Sequence, residues 1–197
     1  DIAGIADLAQ KVIDLYYSLE NRPKGKGVTV SISCATFIPK PFTPFQFEPQ
    51  NDFAQIEEKQ KHLRDCIKSR KISVSLHNAG TSLIEAVLAR GDRRVGEVIY
   101  TAWKKGCKFD GSDEYFDFEK WKEAFNECGV TPDFYAYRKR EYDEIMPWEH
   151  IDLGISKKFL AHQDQLAHKS ISTPNCRQKC AGCGATVFGE GICCETC

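Results

Sequence analysis

Val28-Thr29-Val30-Ser31-Ile32-Ser33 is β-branched and reads as a strand. It runs into Phe37-Ile38-Pro39-Lys40-Pro41-Phe42-Thr43-Pro44-Phe45-Gln46, a loop stiffened by its prolines. On the upstream side, Ile2, Ile5, Leu8, Ala9, Val12, Ile13 and Tyr16 recur at helical spacing, which predicts an amphipathic helix over 2–20. Pro23-Lys24-Gly25 breaks it. On the downstream side, Asn51 or Asp52 can cap a helix over 53–69 with Phe53, Ile56, Leu63 and Ile67 inward. Lys71 to Leu76 then reads as a second strand. This order is a βαβ unit, so the two strands are expected to be parallel and joined by a right-handed crossover.

Parallel strands are normally covered on both faces inside a larger sheet or barrel. Two strands cannot supply that cover, so the unit reads as the end of a larger α/β structure. The opening Asp1-Ile2-Ala3-Gly4 lies inside a helical pattern, and the single methionine is Met146. The expectation is therefore a fragment or processed product of a longer chain.

After Leu76 the pattern is helical. Ser82-x-x-Glu85 resembles a capping box for a helix to about Ala89. Asp92 can cap another, with Val95, Val98, Ile99 and Ala102 on one face and Gly106 at its end. Phe118, Trp121, Ala124, Phe125 and Cys128 mark a third, stopped by Gly129, and Thr131-Pro132 opens a short fourth. Ser156 can cap a fifth, to about His168, and 169–175 reads as a linker. Trp103 and Trp121 are expected in the core.

The chain has 197 residues, 42% hydrophobic and 28% charged, with a net charge of −1. That composition allows a sizeable core and excludes global disorder. It offers no whole-chain argument for nucleic acid or membrane. No apolar run approaches the roughly 18 residues of a membrane span, and no secretory signal pattern is present. A cytoplasmic location is expected, with no membrane partner.

Lys40, Thr43 and Gln46 are polar groups on a stiff segment at the C-terminal end of a parallel strand, where α/β folds bind ligands. His77 follows the second strand in the equivalent place. Each also has a structural reading: a rigid crossover loop burying Phe42, Phe45 and Phe47, and a histidine that only completes hydrogen bonds. Arg90, Arg93 and Arg94, with Lys104, Lys105 and Lys108, form a local basic excess that could hold phosphate, carboxylate or RNA backbone. A solvated helix face paired with acids is the alternative. The segment does not show the aromatic interleaving of single-strand binders. No Gly-rich phosphate loop or nucleophile elbow occurs.

Six of the ten cysteines lie in the tail. Cys180-x2-Cys183 and Cys194-x2-Cys197 form two knuckles separated by ten residues, a metal-ligand spacing; Cys176 and Cys193 are further candidates. Four thiolates suit zinc, and three or four also suffice for an iron–sulfur cluster. Reactive thiols without metal are the alternative. Cys34, Cys66, Cys107 and Cys128 are too scattered for a compact disulfide framework.

Several segments in order resemble a group of bacterial radical S-adenosylmethionine (SAM) proteins with an N-terminal cobalamin-binding-like region. They are the Phe37-to-Gln46 stretch, Leu88-Ala89-Arg90-Gly91-Asp92-Arg93-Arg94, and Trp103-Lys104-Lys105-Gly106-Cys107-Lys108-Phe109-Asp110. Pro147-Trp148-Glu149-His150-Ile151, Thr173-Pro174-Asn175-Cys176-Arg177 and Cys180-x2-Cys183-Gly184 complete the series. The resemblance implies a partial TIM-like barrel in which SAM is cleaved to a 5′-deoxyadenosyl radical on a [4Fe–4S] cluster. Cys176-x3-Cys180-x2-Cys183 has the spacing of that family's cluster motif. It departs from the motif in having Gly182 where an aromatic usually stands, and in lying near the end rather than after the first barrel strand. The cluster and SAM would thus belong to a part preceding Asp1, which would be this chain's partner.

On this reading, 1–77 is the C-terminal part of the barrel, 78–168 a helical extension and 169–197 a Cys-rich metal-binding tail. Lys40, Thr43, Gln46 and His77 would border the barrel mouth near SAM or substrate, and Arg90, Arg93 and Arg94 are anion candidates. The tail would hold zinc or an auxiliary iron–sulfur cluster. The chain alone would be inactive, and the intact enzyme could modify RNA or a ribosomal component. The rival expectation is a stand-alone zinc-ribbon module binding RNA or protein.

Overall fold

The computed structural model describes residues 1–23, 25 and 27–188. Cys193, Cys194 and Cys197 lie outside them.

The first helix, α1 (Ile2–Ser18), packs over β1 (Val30–Cys34) and α2 (Phe53–Cys66), and β2 (Ile72–Leu76) follows. The strands pair in parallel, from Val30 opposite Ile72 to Cys34 opposite Leu76. Alternation along each strand separates two faces. Val30, Ile32 and Ile72 meet Ala9, Ile13 and Tyr17. Ser31, Ser33, Ser73 and Ser75 form the other face and are exposed. The hydroxyls of Ser31 and Ser73 are 3.0 Å apart. Among the described residues the sheet has only these two strands, so each has one edge without a strand partner.

Of the two candidates at the start of α2, Asp52 is the cap. Its Oδ1 accepts from Gln55 N–H at 2.8 Å, while Gln55 Oε1 accepts from Asp52 N–H at 3.1 Å. This reciprocal pair satisfies two otherwise orphaned donors. Ile56 and Leu63 are then buried.

The next helix, α3 (Ala79–Arg90), begins earlier than the Ser82 reading predicts. Asn78 Oδ1 accepts from Gly80 and Thr81 N–H and caps it. Ser82 is instead buried inside the helix and donates back to the Asn78 carbonyl at 2.8 Å. An asparagine held in extended conformation serves the first turn as well as serine would, and Glu85 is left free to pair with Lys40.

Three more helices build the main core with it: α4 (Arg94–Lys104), α5 (Phe118–Glu127) and the short α6 (Pro132–Ala136). Leu83, Val87, Val98, Ala102, Trp121, Phe125 and Tyr135 form one buried cluster. After α5, Gly129 takes φ +62°, the left-handed cap that glycine adopts without strain. Trp121 is buried as expected, but Trp103 is 53% exposed. On α4 the buried positions are 95, 98 and 102, which leaves Ile99, Tyr100 and Trp103 outside that stripe. Trp103 stacks on Tyr100 with ring centroids 5.9 Å apart, and the Lys104 ammonium lies over the Tyr100 ring. The basic segment is therefore interleaved with exposed aromatics after all.

The last helix of the described residues, α7 (Lys157–His168), is capped by Ser156 as predicted. It docks against the proline loop's 3-10 turn (Pro44–Phe47), where Phe47, Met146, Trp148 and Leu160 form a second cluster. The whole is a mixed α/β structure with two parallel strands and seven helices among the described residues. No helix among them is long and apolar enough to cross a membrane.

Candidate functional site: the strand-end loop and the cysteine knuckle

The proline loop leaves β1 and turns back at Phe42, whose φ is +59°. Thr43 Oγ1 donates to the Lys40 carbonyl at 2.7 Å and closes this turn. Lys40 Nζ lies 2.5 Å from Glu85 Oε1, and both side chains are nearly half exposed. Such a pair contributes about 0–1 kcal/mol and opens readily to another partner. Gln46 faces inward. Its Oε1 accepts from Phe42 N–H at 3.0 Å and from Trp148 Nε1 at 2.9 Å, and the residue is buried. Gln46 thus ties the loop to the Pro147-Trp148 segment. His77 follows β2 and is exposed. Its N–H donates to the Cys34 carbonyl at 3.3 Å, its carbonyl accepts from Gln60, and its Nδ1 lies 3.4 Å from Ser82 Oγ.

A cavity of about 210 Å³ opens at this end of the strands. Cys34, Thr36, Phe37 and Leu76 line it from the strand ends, with Ile2 and Ile5 of α1 and Ile56, Lys59, Gln60 and Leu63 of α2. None of Lys40, Thr43, Gln46 and His77 is among its lining residues. This strand-end space is therefore mainly apolar and sits between the helices, beside the predicted rim.

The three arginines do not converge. Arg90 is fully buried; its Nη1 donates to the Glu48 carbonyl and its Nη2 to the Arg138 carbonyl at 3.2 Å. Burial, and then the charges of Arg140 and Arg138, push its guanidinium down to about 10. It remains a cation at neutral pH that ties three chain segments together. Arg94 clamps Asp92, with Nη2 2.6 Å from Oδ2. Tyr135 OH also donates to Asp92, at 3.1 Å. The Arg94 hydrogen bonds outweigh burial and hold Asp92 down to about 2. Arg93 is exposed. Arg94 lines a cavity of about 380 Å³ with Glu97, Thr131, Phe134 and Tyr135.

In the tail, Cys180 Sγ accepts from Gly182 N–H and Cys183 Sγ from Ala185 N–H, each at 3.4 Å. The thiolate is the form that ligates metal. The knuckle is seated on the body. Ser156 N–H donates to the Cys183 carbonyl at 2.9 Å. Gly184, at φ +100°, passes so close that a Cβ there would lie 2.6 Å from the Gly154 carbonyl oxygen. Only glycine fits. Cys176 is exposed, and Cys34, Cys66, Cys107 and Cys128 are free cysteines. The residues present fit a thiolate-bound ion, with Cys180 and Cys183 offering two donors.

The sequence reading does not single out one further cluster. Glu48, Asp164 and His168 present donor atoms within 4.8 Å of one another. The spacing of Asp164 and His168, four residues apart on one helix, was visible, but the approach of Glu48 from 116 positions upstream was not.

In comparisons with known proteins, no family model, no curated protein and no solved structure matches the chain.

Proposed function

We propose that this chain is the C-terminal part of a radical SAM enzyme. Residues 1–77 contribute the last strands of a partial TIM-like barrel, 78–168 a helical extension and 169–197 a metal-binding tail. The observation that carries this reading is the serine face of the sheet. Parallel strands are normally covered on both faces, yet among the described residues β1 and β2 are covered on one side by helices and present Ser31, Ser33, Ser73 and Ser75 on the other, each with one edge without a strand partner. Small polar residues inside and helices outside are what a wall segment of a barrel with a solvated lumen requires. Further strands would pair with the free edges.

When bound in the preceding part, the [4Fe–4S] cluster and SAM supply the 5′-deoxyadenosyl radical. This chain's own residues close the barrel, shape the rim through the Lys40–Thr43 turn, and hold that turn in place through Gln46 and Trp148. The four tail thiolates, Cys180, Cys183, Cys194 and Cys197, bind zinc or an auxiliary cluster, with Cys176 and Cys193 as further ligand candidates. By analogy at the level of fold, the substrate class is RNA or a ribosomal component, and the location is cytoplasmic.

The test is SAM cleavage by the protein extended upstream of Asp1, purified anaerobically and reduced. Formation of 5′-deoxyadenosine by the extended protein, and none by residues 1–197 alone, is expected. Failure of the iron-loaded extended protein to cleave SAM would sink the reading. Metal and acid-labile sulfide in the 197-residue chain assign the tail: zinc without sulfide makes it a structural clamp, iron with sulfide an auxiliary cluster. The rival, a stand-alone zinc ribbon, draws support from the way Cys183 docks on Ser156 within this chain. It predicts one zinc and a chain start near Asp1.

A further inference from the structure

We propose that Glu48, Asp164 and His168 bind a divalent transition-metal ion at the seam between the proline loop and α7. The site is separate from the tail. Ser156, which holds the knuckle, and this cluster lie at opposite ends of α7, roughly 12–18 Å apart along the helix.

Asp164 and His168 are four residues apart and so share one helical face. Glu48 enters from the end of the 3-10 turn. Its Oε1 lies 2.9 Å from His168 Nε2, which is 3.8 Å from Asp164 Oδ2. Ligands at about 2.0–2.2 Å from one ion stand roughly 3–3.5 Å apart, so the three donors need only small side-chain shifts to converge.

Asp164 is the observation that points to an ion. It is 0% exposed, its Oδ2 lies 3.8 Å from His168 Nε2, and its Oδ1 has no hydrogen-bond partner among the described residues. A buried carboxylate oxygen with nothing to accept from is costly unless a cation completes it. Its Oδ2 accepts from Tyr142 OH at 2.7 Å. That contact orients the carboxylate as a supporting hydrogen bond does around a metal. Burial, and then the Asp164 contact, push the Tyr142 hydroxyl up to about 12, so it stays a donor. At Glu48 burial acts upward, but hydrogen bonds from His168 and Lys139 prevail and keep it ionised. Lys139 Nζ, 3.1 Å from Glu48 Oε1, belongs to a side chain 54% exposed and can swing into solvent when an ion arrives.

One imidazole and two carboxylates make a mixed nitrogen and oxygen set. It suits Mn²⁺, Fe²⁺ or Zn²⁺ rather than the all-oxygen cations, and differs from the thiolate set of the tail. The competing account is an ion-pair clasp, in which protonated His168 itself serves as the cation between Glu48 and Asp164.

The experiment uses the full chain with all six tail cysteines, Cys176, Cys180, Cys183, Cys193, Cys194 and Cys197, replaced by serine, titrated with Mn²⁺ by loss of the free-ion EPR signal and with Zn²⁺ by calorimetry. Saturable binding of one equivalent of either ion is expected, weakened at least about tenfold by His168→Gln. His168 is half exposed at the helix end, so this variant keeps the fold, and circular dichroism checks that. Asp164→Asn is the harsher second variant. No saturable binding of either ion, or binding that survives His168→Gln in a folded chain, overturns the proposal and leaves the clasp.

Discussion

The helical body and the βαβ unit solve the same burial problem to different degrees. Around Phe125, Val87, Val98 and Trp121, helices α3 to α6 close on one another and leave a contiguous core. Around Ala9, Ile13 and Ile72, the β unit has a smaller buried cluster, while Leu8, Val12 and Leu15 of α1, and Leu19 just past it, stay exposed. The helical body has the larger core. Among the described residues, the β unit has a helix apolar on two sides and a sheet whose strands each leave one edge without a strand partner. The two are joined through Lys40–Glu85, Arg90 and the docking of α7 on the 3-10 turn.

The comparison breaks most readily at the cores. Phe125→Ala should cost about 3–5 kcal/mol and unfold the helical body. Ile13→Ala should cost about 2 kcal/mol, since its buried cluster is the smaller one. Hydrogen exchange sharpens the contrast: amides of β1 and β2 should exchange faster than those of α3 and α5. Equal protection in both would mean the β unit is as closed as the body.

Acid probes the body's internal polar ties. Asp92 is depressed to about 2 from the usual carboxylate value near 4. Its contribution is therefore present above about pH 4 and lost as pH falls toward 2. Arg94 is largely exposed and screened, so the loss should be no more than about 1 kcal/mol. Comparing urea midpoints at pH 5 and pH 2.5 for the natural chain and Asp92→Asn tests it; the variant should show the smaller change.

The smallest effect is the most telling for the β unit. Leu8→Lys with Leu15→Lys should change stability by no more than about 0.5 kcal/mol, while lowering self-association in sedimentation. A loss of several kcal/mol would show that this row is covered in the isolated chain and that the two regions are alike.

Much of the architecture was legible from local chemistry. The βαβ order, the Ser156 cap, Gly129 and the inward faces of α2 and α5 all follow from spacing, because periodicity and caps are short-range properties. Where two local solutions competed, the sequence could not choose: Asn78 took the cap that Ser82-x-x-Glu85 suggests, and Trp103, one helical position past Ala102, went outward.

What the chain order could not disclose is how distant side chains divide their roles. Gln46, a rim candidate by position, is withdrawn into a hydrogen bond with Trp148, 102 residues later. Arg90, an anion candidate by charge, is drawn under the body by backbone carbonyls of Glu48 and Arg138. The meeting of Glu48 with Asp164 and His168 arises only when α7 docks on the proline loop. The sequence by itself determined the order of the elements and several of their caps, since these depend on neighbours within a turn or two. The tertiary structure alone decided which polar groups are buried, paired or gathered around one point, because that depends on contacts between segments a hundred residues apart.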